Sequence, residues 1–398
     1  MKFTSEPSSR RLFAFVGAMV IGTLSVLIVV ELVMYAAWSF AHWLHPVLLP
    51  PEISPAYASA TWVPDLYREQ ALRLAVPYVY VPFLISGVTP WHGKYFNNDE
   101  HTAGVWRRTL DAEGGQCSQQ PKTSVWVFGG STVYGTGVPD WATLPSYLSS
   151  SLKSVASACV AVTNFGSESY VSTQEVLLLS EQLKRGGKPD IVIFYDGFND
   201  AHGGMAASDP WVAHYEYATI KARTEGSVRG RFDFVHRLYT VRIIDAARQL
   251  FQRRGESLNA EELRAKAAAV VDNYQANQDI ARALGQVYHF RFYGFWQPML
   301  FYGHKPLVSF EQQITQLDAT SKSRFDPRPV IAAYQEAERR APKASFVNLA
   351  DIFDSTPEGL YIDEAHLGPH GNELAANAIA KYVEDHPAGI EFHDSKAP

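Results

Sequence analysis

Four short stretches of the sequence carry side chains suited to nucleophilic catalysis. The serine of "VFGGSTVYG" is Ser131, and "YIDEAHLGPHG" supplies Asp363 and His366, three residues apart. A serine nucleophile needs a base that takes its proton and an acid that orients that base. "NFGSESY" contains Gly166 and "DGFND" contains Asn199. We predict that the backbone N–H groups of Ser131 and Gly166 form an oxyanion hole with the Asn199 amide, glycine allowing the backbone to approach the substrate closely.

Two other interpretations of the same residues exist. A serine in a glycine-rich turn and an Asn-Asp pair are also common in turns and helix caps. Asp363, His366 and His370, with His202 as a further ligand, would offer the nitrogen and oxygen donors of a zinc site. The Gly-Pro pair between His366 and His370 disfavours one helix that presents both. We therefore favour the serine mechanism and predict neither a metal nor a cofactor.

The elements that must position these residues form an alternating pattern. From residue 124 onward, short apolar runs alternate with helical patterns, which predicts a parallel sheet with helices on both faces. Five strands are predicted, at 124–129, 159–165, 190–195, 289–296 and 345–349. Because the carboxyl ends of parallel strands meet at one edge of a sheet, the four stretches should come together there.

Helix starts and long connections are visible as well. Ser172 and Glu175 have the spacing of a capping box, and Asn259 is followed by Glu262 at the same spacing. The connections 201–256 and 298–326 leave the same sheet edge and are expected to form walls of a cleft. Arginines and apolar residues within 201–256 fit either a surface helix packed on the core or a basic helix at anionic lipid or polymer.

In their order along the chain, with Ser131 first and His366 last, the four stretches resemble the sequence blocks of an SGNH hydrolase of the GDSL esterase superfamily. Gly130 stands where the usual Gly-Asp-Ser of that family has aspartate. The resemblance covers about residues 120–385. It implies an α/β protein with a flavodoxin-like three-layer α/β/α sandwich and a five-stranded parallel sheet of order 2-1-3-4-5.

The two cysteines of the sequence are Cys117 and Cys159. Cys159 begins the second predicted strand and Cys117 precedes the first, and the strand order implied by the resemblance makes these strands neighbours. In an oxidising compartment we expect a disulfide between them. Two separate buried thiols are the alternative.

The N-terminal segment predicts a membrane anchor. Residues 12–30 are an uncharged apolar run which, as a helix, spans the roughly 30 Å hydrocarbon core of a bilayer. Aromatic residues follow, so the membrane helix and its interfacial segment are placed at 12–44. A cleaved signal peptide is the alternative, but its apolar region is shorter.

Charge and proline content divide the rest of the chain. Lys2, Arg10 and Arg11 lie in the tail 1–11, and no further Lys or Arg occurs before Arg68, which places the N-terminus in the cytoplasm. The proline-rich residues 45–66 predict an extended tether. Residues 67–398 are then the catalytic domain.

Composition limits the function classes. A net charge of −6 with 46% hydrophobic residues is ordinary for a folded protein and gives no indication of nucleic-acid binding. We expect a single-pass protein of the bacterial inner membrane with its catalytic domain in the periplasm or outside the cell. The expected partners are the lipid bilayer and a carbohydrate or acyl-ester substrate, and the sequence does not identify protein partners.

The resemblance suggests a serine esterase or O-acyltransferase that handles O-acetyl groups of envelope or exported polysaccharide. A lipid esterase that uses the 201–256 insertion as a lid is one alternative. A non-catalytic module of a polysaccharide export assembly is the other.

Overall fold

The computed structural model of the protein describes residues 8–44, 51–76, 78–101, 104–110, 122–153, 159–212, 214, 220, 238–241, 243, 258–319 and 326–389. The chain divides into two compact units, which are treated separately here. One unit comprises residues 1–48 and 218–258, and the other comprises residues 49–217 and 259–398.

The larger unit is built on one sheet. Its eight strands, in chain order, are β1 (Trp91–His92), β2 (Asn97–His101), β3 (Gly104–Arg107), β4 (Lys122–Gly129), β5 (Cys159–Asn164), β6 (Ile191–Asp196), β7 (Arg291–Trp296) and β8 (Val347–Asn348). The last five agree with the predicted strands to within a few residues, although β8 is reduced to two residues.

The strand order is β1-β2-β3-β5-β4-β6-β7-β8. Strands β4 to β8 pair with one another in parallel and have the predicted order 2-1-3-4-5, which confirms the implied fold. The prediction of only five strands is wrong, because β1, β2 and β3 extend the sheet in antiparallel fashion beside β5. Their sequences lack the apolar alternation that identifies a strand: β2 reads "NNDEH".

The first helix belongs to the smaller unit, and the other helices named here belong to the larger unit. In chain order they are α1 (Ser8–Leu44), α2 (Val63–Leu74), α3 (Ser131–Tyr134), α4 (Leu144–Lys153), α5 (Ser172–Lys184), α6 (Phe198–Ala206), α7 (Ala260–Tyr288), α8 (Ser309–Ala319), α9 (Pro327–Arg340) and α10 (Pro369–Asp385). The predicted capping box of Asn259 and Glu262 is present at the start of α7. Ser172 does begin α5, but its hydroxyl and Glu175 make other contacts, described below.

Alternating side chains of the central strands build a core on each face of the sheet. In β4, Val125 and Val127 point into one core, while Trp126 and Phe128 join the other. Both sets are buried because successive side chains of a strand point to opposite faces and helices cover both. All of β6 is buried for the same reason. This rigid centre carries the sheet edge at which the candidate residues lie.

Residues 51–66 differ from the extended tether that the prolines predict. Pro51–Ile53 and Pro55–Tyr57 form two single-turn 3-10 helices, and α2 follows. Ala56 and Tyr57 are buried against Val63 and Ile362. Proline stiffens a segment but also suits the first turn of a helix, and here the neighbouring apolar side chains reach the domain.

The smaller unit contains α1 and part of the predicted insertion. Residues Phe13–Ser39 of α1 form one helix that is long and apolar enough to cross a membrane. The Glu31 carboxylate accepts hydrogen bonds from the backbone N–H of Tyr239 and from Thr240 N (3.2 Å) and Oγ1 (2.9 Å). Residues 238–241 and 243 are the described part of the arginine-rich pattern.

Some predictions fall on residues outside the described part of the chain. Cys117 is one of them, so the disulfide with Cys159 stays a prediction. The predicted insertion begins inside the larger unit, because α6 packs Phe198, Ala201 and Met205 into its core. Of the other predicted insertion, 298–326, residues 320–325 are not described.

Candidate active site

Ser131 lies where a buried strand turns sharply into a helix. It follows Gly129 and Gly130 at the end of β4 and is the first residue of α3. A Cβ on Gly129 would stand 2.4 Å from the Tyr195 carbonyl oxygen, which explains the glycine before the turn. As the first residue of a helix, Ser131 has a backbone N–H without an intrahelical acceptor.

The structure brings Ser131, His366 and Asp363 together. Ser131 Oγ lies 2.8 Å from His366 Nε2, and His366 Nδ1 lies 2.7 Å from Asp363 Oδ2. Ser131 and His366 are separated by 235 positions in the chain. In this arrangement the Nδ1–H of His366 donates to Asp363, which leaves Nε2 to accept the serine proton.

Charge interactions prepare this pair for proton transfer. Burial would lower the pKa of His366, but the charge of Asp363 and the hydrogen bond to it raise that pKa to about 9. Burial would raise the pKa of Asp363, yet the charge and hydrogen bonds of His366 hold it below its usual range. Asp363 is therefore a carboxylate that stabilises the protonated imidazole.

The loop that carries Asp363 and His366 is held from two sides. Asp363 Oδ1 accepts the backbone N–H groups of Ala365 (3.0 Å) and His366 (2.7 Å). Behind the loop, Glu311 of α8 accepts from the backbone N–H groups of Leu360 (2.9 Å) and Tyr361 (3.1 Å). These bonds fix the imidazole relative to the serine.

Asn199 lies beside the turn that presents Ser131. Its Nδ2 donates to the Tyr170 carbonyl oxygen (2.8 Å). A Cβ on Gly130 would stand 2.2 Å from Asn199 Nδ2. The amide therefore occupies the space that an aspartate before the nucleophile would need, which is a physical reason for glycine at this position. The role of Asn199 as an oxyanion donor stays a prediction.

Gly166 has surroundings that differ from the expectation. Its backbone N–H donates to Asn164 Oδ1 (2.9 Å). A Cβ on Gly166 would stand 2.3 Å from the backbone nitrogen of Tyr134. The glycine is thus required by close packing against the α3 backbone, and in this geometry its N–H is already bonded within the protein.

The histidines of the zinc alternative face other partners. His366 contacts Ser131 and Asp363, as given above. His370 Nδ1 lies 3.4 Å from Glu373 Oε2 on α10. The His202 ring lies against Phe198, with ring centroids 6.0 Å apart.

Arg107, a residue that the sequence analysis missed, fixes the segment after Ser131. Its guanidinium donates to Asp140 Oδ1 (2.9 Å) and to the carbonyl oxygens of Tyr134 (3.0 Å), Gly135 and Val138 (2.7 Å). The side chain is fully buried, so these acceptors replace the water that the guanidinium loses on folding. In the sequence, Arg107 is an arginine in a segment without regular apolar periodicity, and such a residue does not by itself indicate a role at the site.

Glu168 is a second missed residue. Its carboxylate accepts from Arg73 Nη2 (2.8 Å), Thr136 Oγ1 (3.0 Å) and the Tyr78 hydroxyl. Its negative charge also helps to raise the pKa of His366. In the sequence, the feature that could have drawn attention to Glu168 is its position two residues after Gly166, in the stretch "NFGSESY".

Residues before the predicted domain also reach the site. Ser54 Oγ donates to the Tyr361 carbonyl oxygen (2.7 Å), and Tyr57 Oη donates to that of Gly137 (2.8 Å). The Tyr57 and Tyr67 hydroxyls lie 2.6 Å apart. Burial, and to a lesser extent the charge of Asp363, raise the pKa of Tyr67. Nothing in the sequence of 51–67 predicted these contacts, because each partner is distant in the chain.

Comparisons with known proteins add the following. No protein-family model and no curated protein matches this sequence. A member of the lipolytic protein G-D-S-L family from Veillonella parvula is 10% identical, with a TM-score of 0.35, and the match covers 65% of this chain and 97% of that chain. An acetylxylan esterase from Geobacillus stearothermophilus is 13% identical, with a TM-score of 0.32, and the match covers 71% of this chain and 100% of that chain.

A lipase/acylhydrolase from Enterococcus faecalis is 13% identical, with a TM-score of 0.30 and coverage of 66% of this chain and 96% of that chain. These TM-scores are low, so we infer function from the geometry of the side chains at the site. That geometry combines a serine hydroxyl, a base in contact with it and an acid that orients the base. Such a set performs acyl transfer through a covalent intermediate.

Proposed function

We propose that this protein is a serine esterase or O-acyltransferase that transfers an acyl group through Ser131. The observation that carries the proposal is the continuous hydrogen-bond chain from Ser131 Oγ through His366 to Asp363, with distances of 2.8 and 2.7 Å. If a serine, a histidine and an aspartate met by chance, the histidine would not need to turn Nε2 to the serine and Nδ1 to the aspartate.

In the first step, Ser131 Oγ attacks the ester carbonyl carbon while His366 Nε2 takes the hydroxyl proton. The tetrahedral oxyanion is stabilised by the Ser131 N–H and the Asn199 amide. The C–O bond to the leaving alcohol then breaks, and His366 returns the proton to the alcohol oxygen. The acyl group is left as an ester on Ser131.

In the second step, an acceptor hydroxyl attacks the acyl-enzyme. His366 takes the proton of the acceptor and then returns it to Ser131 Oγ as the acyl–serine bond breaks. Water as acceptor makes the reaction a hydrolysis, and a sugar hydroxyl makes it a transfer. Exclusion of water from the site decides between the two.

The proposed setting is the outer face of a bacterial inner membrane, with α1 as a single-pass anchor. Support comes from the length and apolar character of Phe13–Ser39 and from the basic residues that precede it. O-acetyl groups of envelope or exported polysaccharide are the proposed substrates, as the family resemblance suggests.

The proposal is tested with the full-length chain in detergent. We expect Ser131→Ala to abolish covalent labelling by a fluorophosphonate and to lower kcat for p-nitrophenyl acetate about 10⁴-fold or more. Ser180→Ala, on the surface side of α5, is the matched control and should behave as the wild type. We also expect an oligosaccharide acceptor to accelerate turnover of the acetyl ester.

Three outcomes would change the proposal. Unchanged activity in Ser131→Ala excludes the serine mechanism. Preference for long acyl chains over acetyl would favour a lipid esterase. Hydrolysis that no saccharide diverts into acylated product would make the protein a plain esterase.

A further inference from the structure

Three carboxyl groups that the proposed reaction does not use lie buried close to Asn199. Asp196 ends β6, Asp200 lies in the first turn of α6, and Glu175 lies in the first turn of α5. These residues are 2%, 6% and 0% exposed, and Tyr274 of α7, also fully buried, faces them. We call these four residues the carboxyl cluster.

Acids and tyrosines face the cluster from the elements packed against it. The carboxyls act on one another's pKa, and Tyr274 and Ser172 act on them through hydrogen bonds. The charge of Glu175 helps to raise the pKa of Tyr170. The charges of Asp196 and Asp200 help to raise the pKa of Tyr334 of α9.

His202 lies on the same helix as Asp200, and burial lowers its pKa. In the described part of the chain, no lysine or arginine pairs with these three carboxyls.

Hydrogen bonding inside the cluster requires protons. None of the carboxyl oxygens of Glu175 and Asp196 has a partner at full hydrogen-bond geometry among the described residues. Their weaker contacts are with each other and with the Tyr274 hydroxyl, which donates to the Phe295 carbonyl oxygen (3.3 Å). Two buried carboxylates without donors would be costly, whereas one shared proton turns each group into the partner of the other. Burial accordingly raises the pKa of Asp196 to about 6 and that of Asp200 to about 7, and it raises the pKa of Glu175 well above its ordinary value.

The cluster joins the segment before α5 to the start of α6, which carries Asn199. Asp200 accepts from the Ser172 backbone N–H (3.1 Å) and from the Ser172 hydroxyl. Two residues earlier in the chain, the Tyr170 carbonyl oxygen accepts from Asn199 Nδ2. Asn277 of α7 donates to Ser172 Oγ (2.9 Å) and holds it from behind. The orientation of the Asn199 amide therefore depends on how α5 and α6 meet at the cluster.

We propose that the carboxyl cluster is a positioning device for the oxyanion hole, in which a proton shared by Glu175 and Asp196 holds the start of α5 against the end of β6, from which α6 follows, and so sets the Asn199 amide beside Ser131. Loss of that proton leaves two adjacent buried negative charges, whose repulsion moves the start of α5 away from the end of β6. A displacement of about 1 Å at a catalytic group is enough to cost a large factor in rate. The inference rests on the proposed function, since its effect is exerted on the oxyanion donor of that reaction.

The test is the pH dependence of kcat and KM for p-nitrophenyl acetate, measured with the full-length chain from about pH 5 to about pH 10. In the wild type, kcat should rise as His366 loses its proton, and above that pH it should fall as Glu175 and Asp196 lose the proton that they share. Glu175→Gln replaces the shared proton by an amide hydrogen that does not ionise, so its alkaline fall should move to higher pH. Glu175→Ala should lower kcat about 10- to 100-fold with KM nearly unchanged.

Two further variants secure the comparison. Glu181→Gln, at a partly exposed position of α5 paired with Lys184, is the matched control and should keep the wild-type profile. Asp196→Asn supplies the amide from the opposite side and should reproduce the effect of Glu175→Gln, which keeps the test available if one variant does not fold. An alkaline fall at the same pH in the wild type and both amide variants, or full kcat in Glu175→Ala, would overturn the inference.

Infrared spectroscopy detects the shared proton without catalysis. At neutral pH the wild type should show the carbonyl stretching band of a protonated carboxyl group, and Glu175→Gln should show a weaker one. An active wild type without this band overturns the inference alone. An inactive wild type that shows the band overturns the proposed function, and with it the role of the cluster in the oxyanion hole.

Discussion

Asp363 and the carboxyl cluster place carboxyl groups at the same edge of the sheet, yet in opposite states. Asp363 faces a histidine and two backbone N–H groups, and its pKa is held below the usual range. Asp200 and Asp196 face other acids, and burial raises the pKa of each. Removal from water is common to both regions, so the neighbouring charges and donors decide which carboxyl stays ionised.

Glu311 supplies a third case that supports this conclusion. It is fully buried, like Glu175, but its Oε2 lies 2.8 Å from Lys305 Nζ and both of its oxygens accept backbone N–H groups. A buried carboxylate with a cation and donors is a structural anion that holds the Asp363 loop. A buried carboxyl without them must keep a proton.

The largest expected effect is on kcat, and it comes from removing the negative charge of Asp363. Asp363→Asn should lower kcat about 10³- to 10⁴-fold, because the amide no longer stabilises the protonated imidazole or selects its tautomer. It should also lower the pKa of His366 from its raised value of about 9. Steady-state kinetics and NMR titration of the imidazole measure these two effects. A small loss of kcat with an unchanged histidine titration would show that Asp363 and the cluster do not differ in the way described.

The next largest effect is on stability. Glu311→Gln leaves the Lys305 ammonium buried without its counter-charge and should lower the free energy of unfolding by about 3–5 kcal/mol. Glu175→Gln exchanges a neutral carboxyl for a neutral amide and should cost about 1 kcal/mol or less. Chemical unfolding at neutral pH compares the two variants directly. Equal losses would mean that Glu175 is ionised in the folded protein.

The smallest effect is the slope of stability with pH. Asp200 and Asp196 bind protons more tightly when folded than when unfolded, so between about pH 4 and about pH 7 the folded state holds protons that the unfolded chain has lost. The free energy of unfolding should therefore fall as pH rises through this window, by up to about 1.4 kcal/mol per pH unit for each such group.

Asp200→Asn should remove part of that slope, and unfolding curves at several pH values measure it. Asp363 contributes with the opposite sign, because its folded pKa is lowered and its stabilisation is lost as pH falls. A stability that rises between pH 4 and 7 by the same amount in wild type and Asp200→Asn would contradict a protonated cluster.

Much of the fold could be predicted because its signals are local. Buried parallel strands such as β4 and β6 require continuous apolar runs, and these are visible in one sequence. The positions of Ser131, Asn199, Asp363 and His366 after strands then place them at one edge. Strands β1 to β3 were missed because their polar residues are stabilised by pairing with distant segments and not by alternation.

By itself the sequence determined the candidate nucleophile, base and acid, the order of the parallel strands through its resemblance, and an apolar helix of membrane-spanning length. Tertiary structure alone decided that the Gly166 N–H bonds to Asn164, that residues 51–67 pack on the site, and that Arg107 holds the segment after Ser131. It also decided which carboxyls are charged. The physical reason is that protonation, and the conformation of a polar segment, depend on the partners found after folding, and those partners lie far apart along the chain.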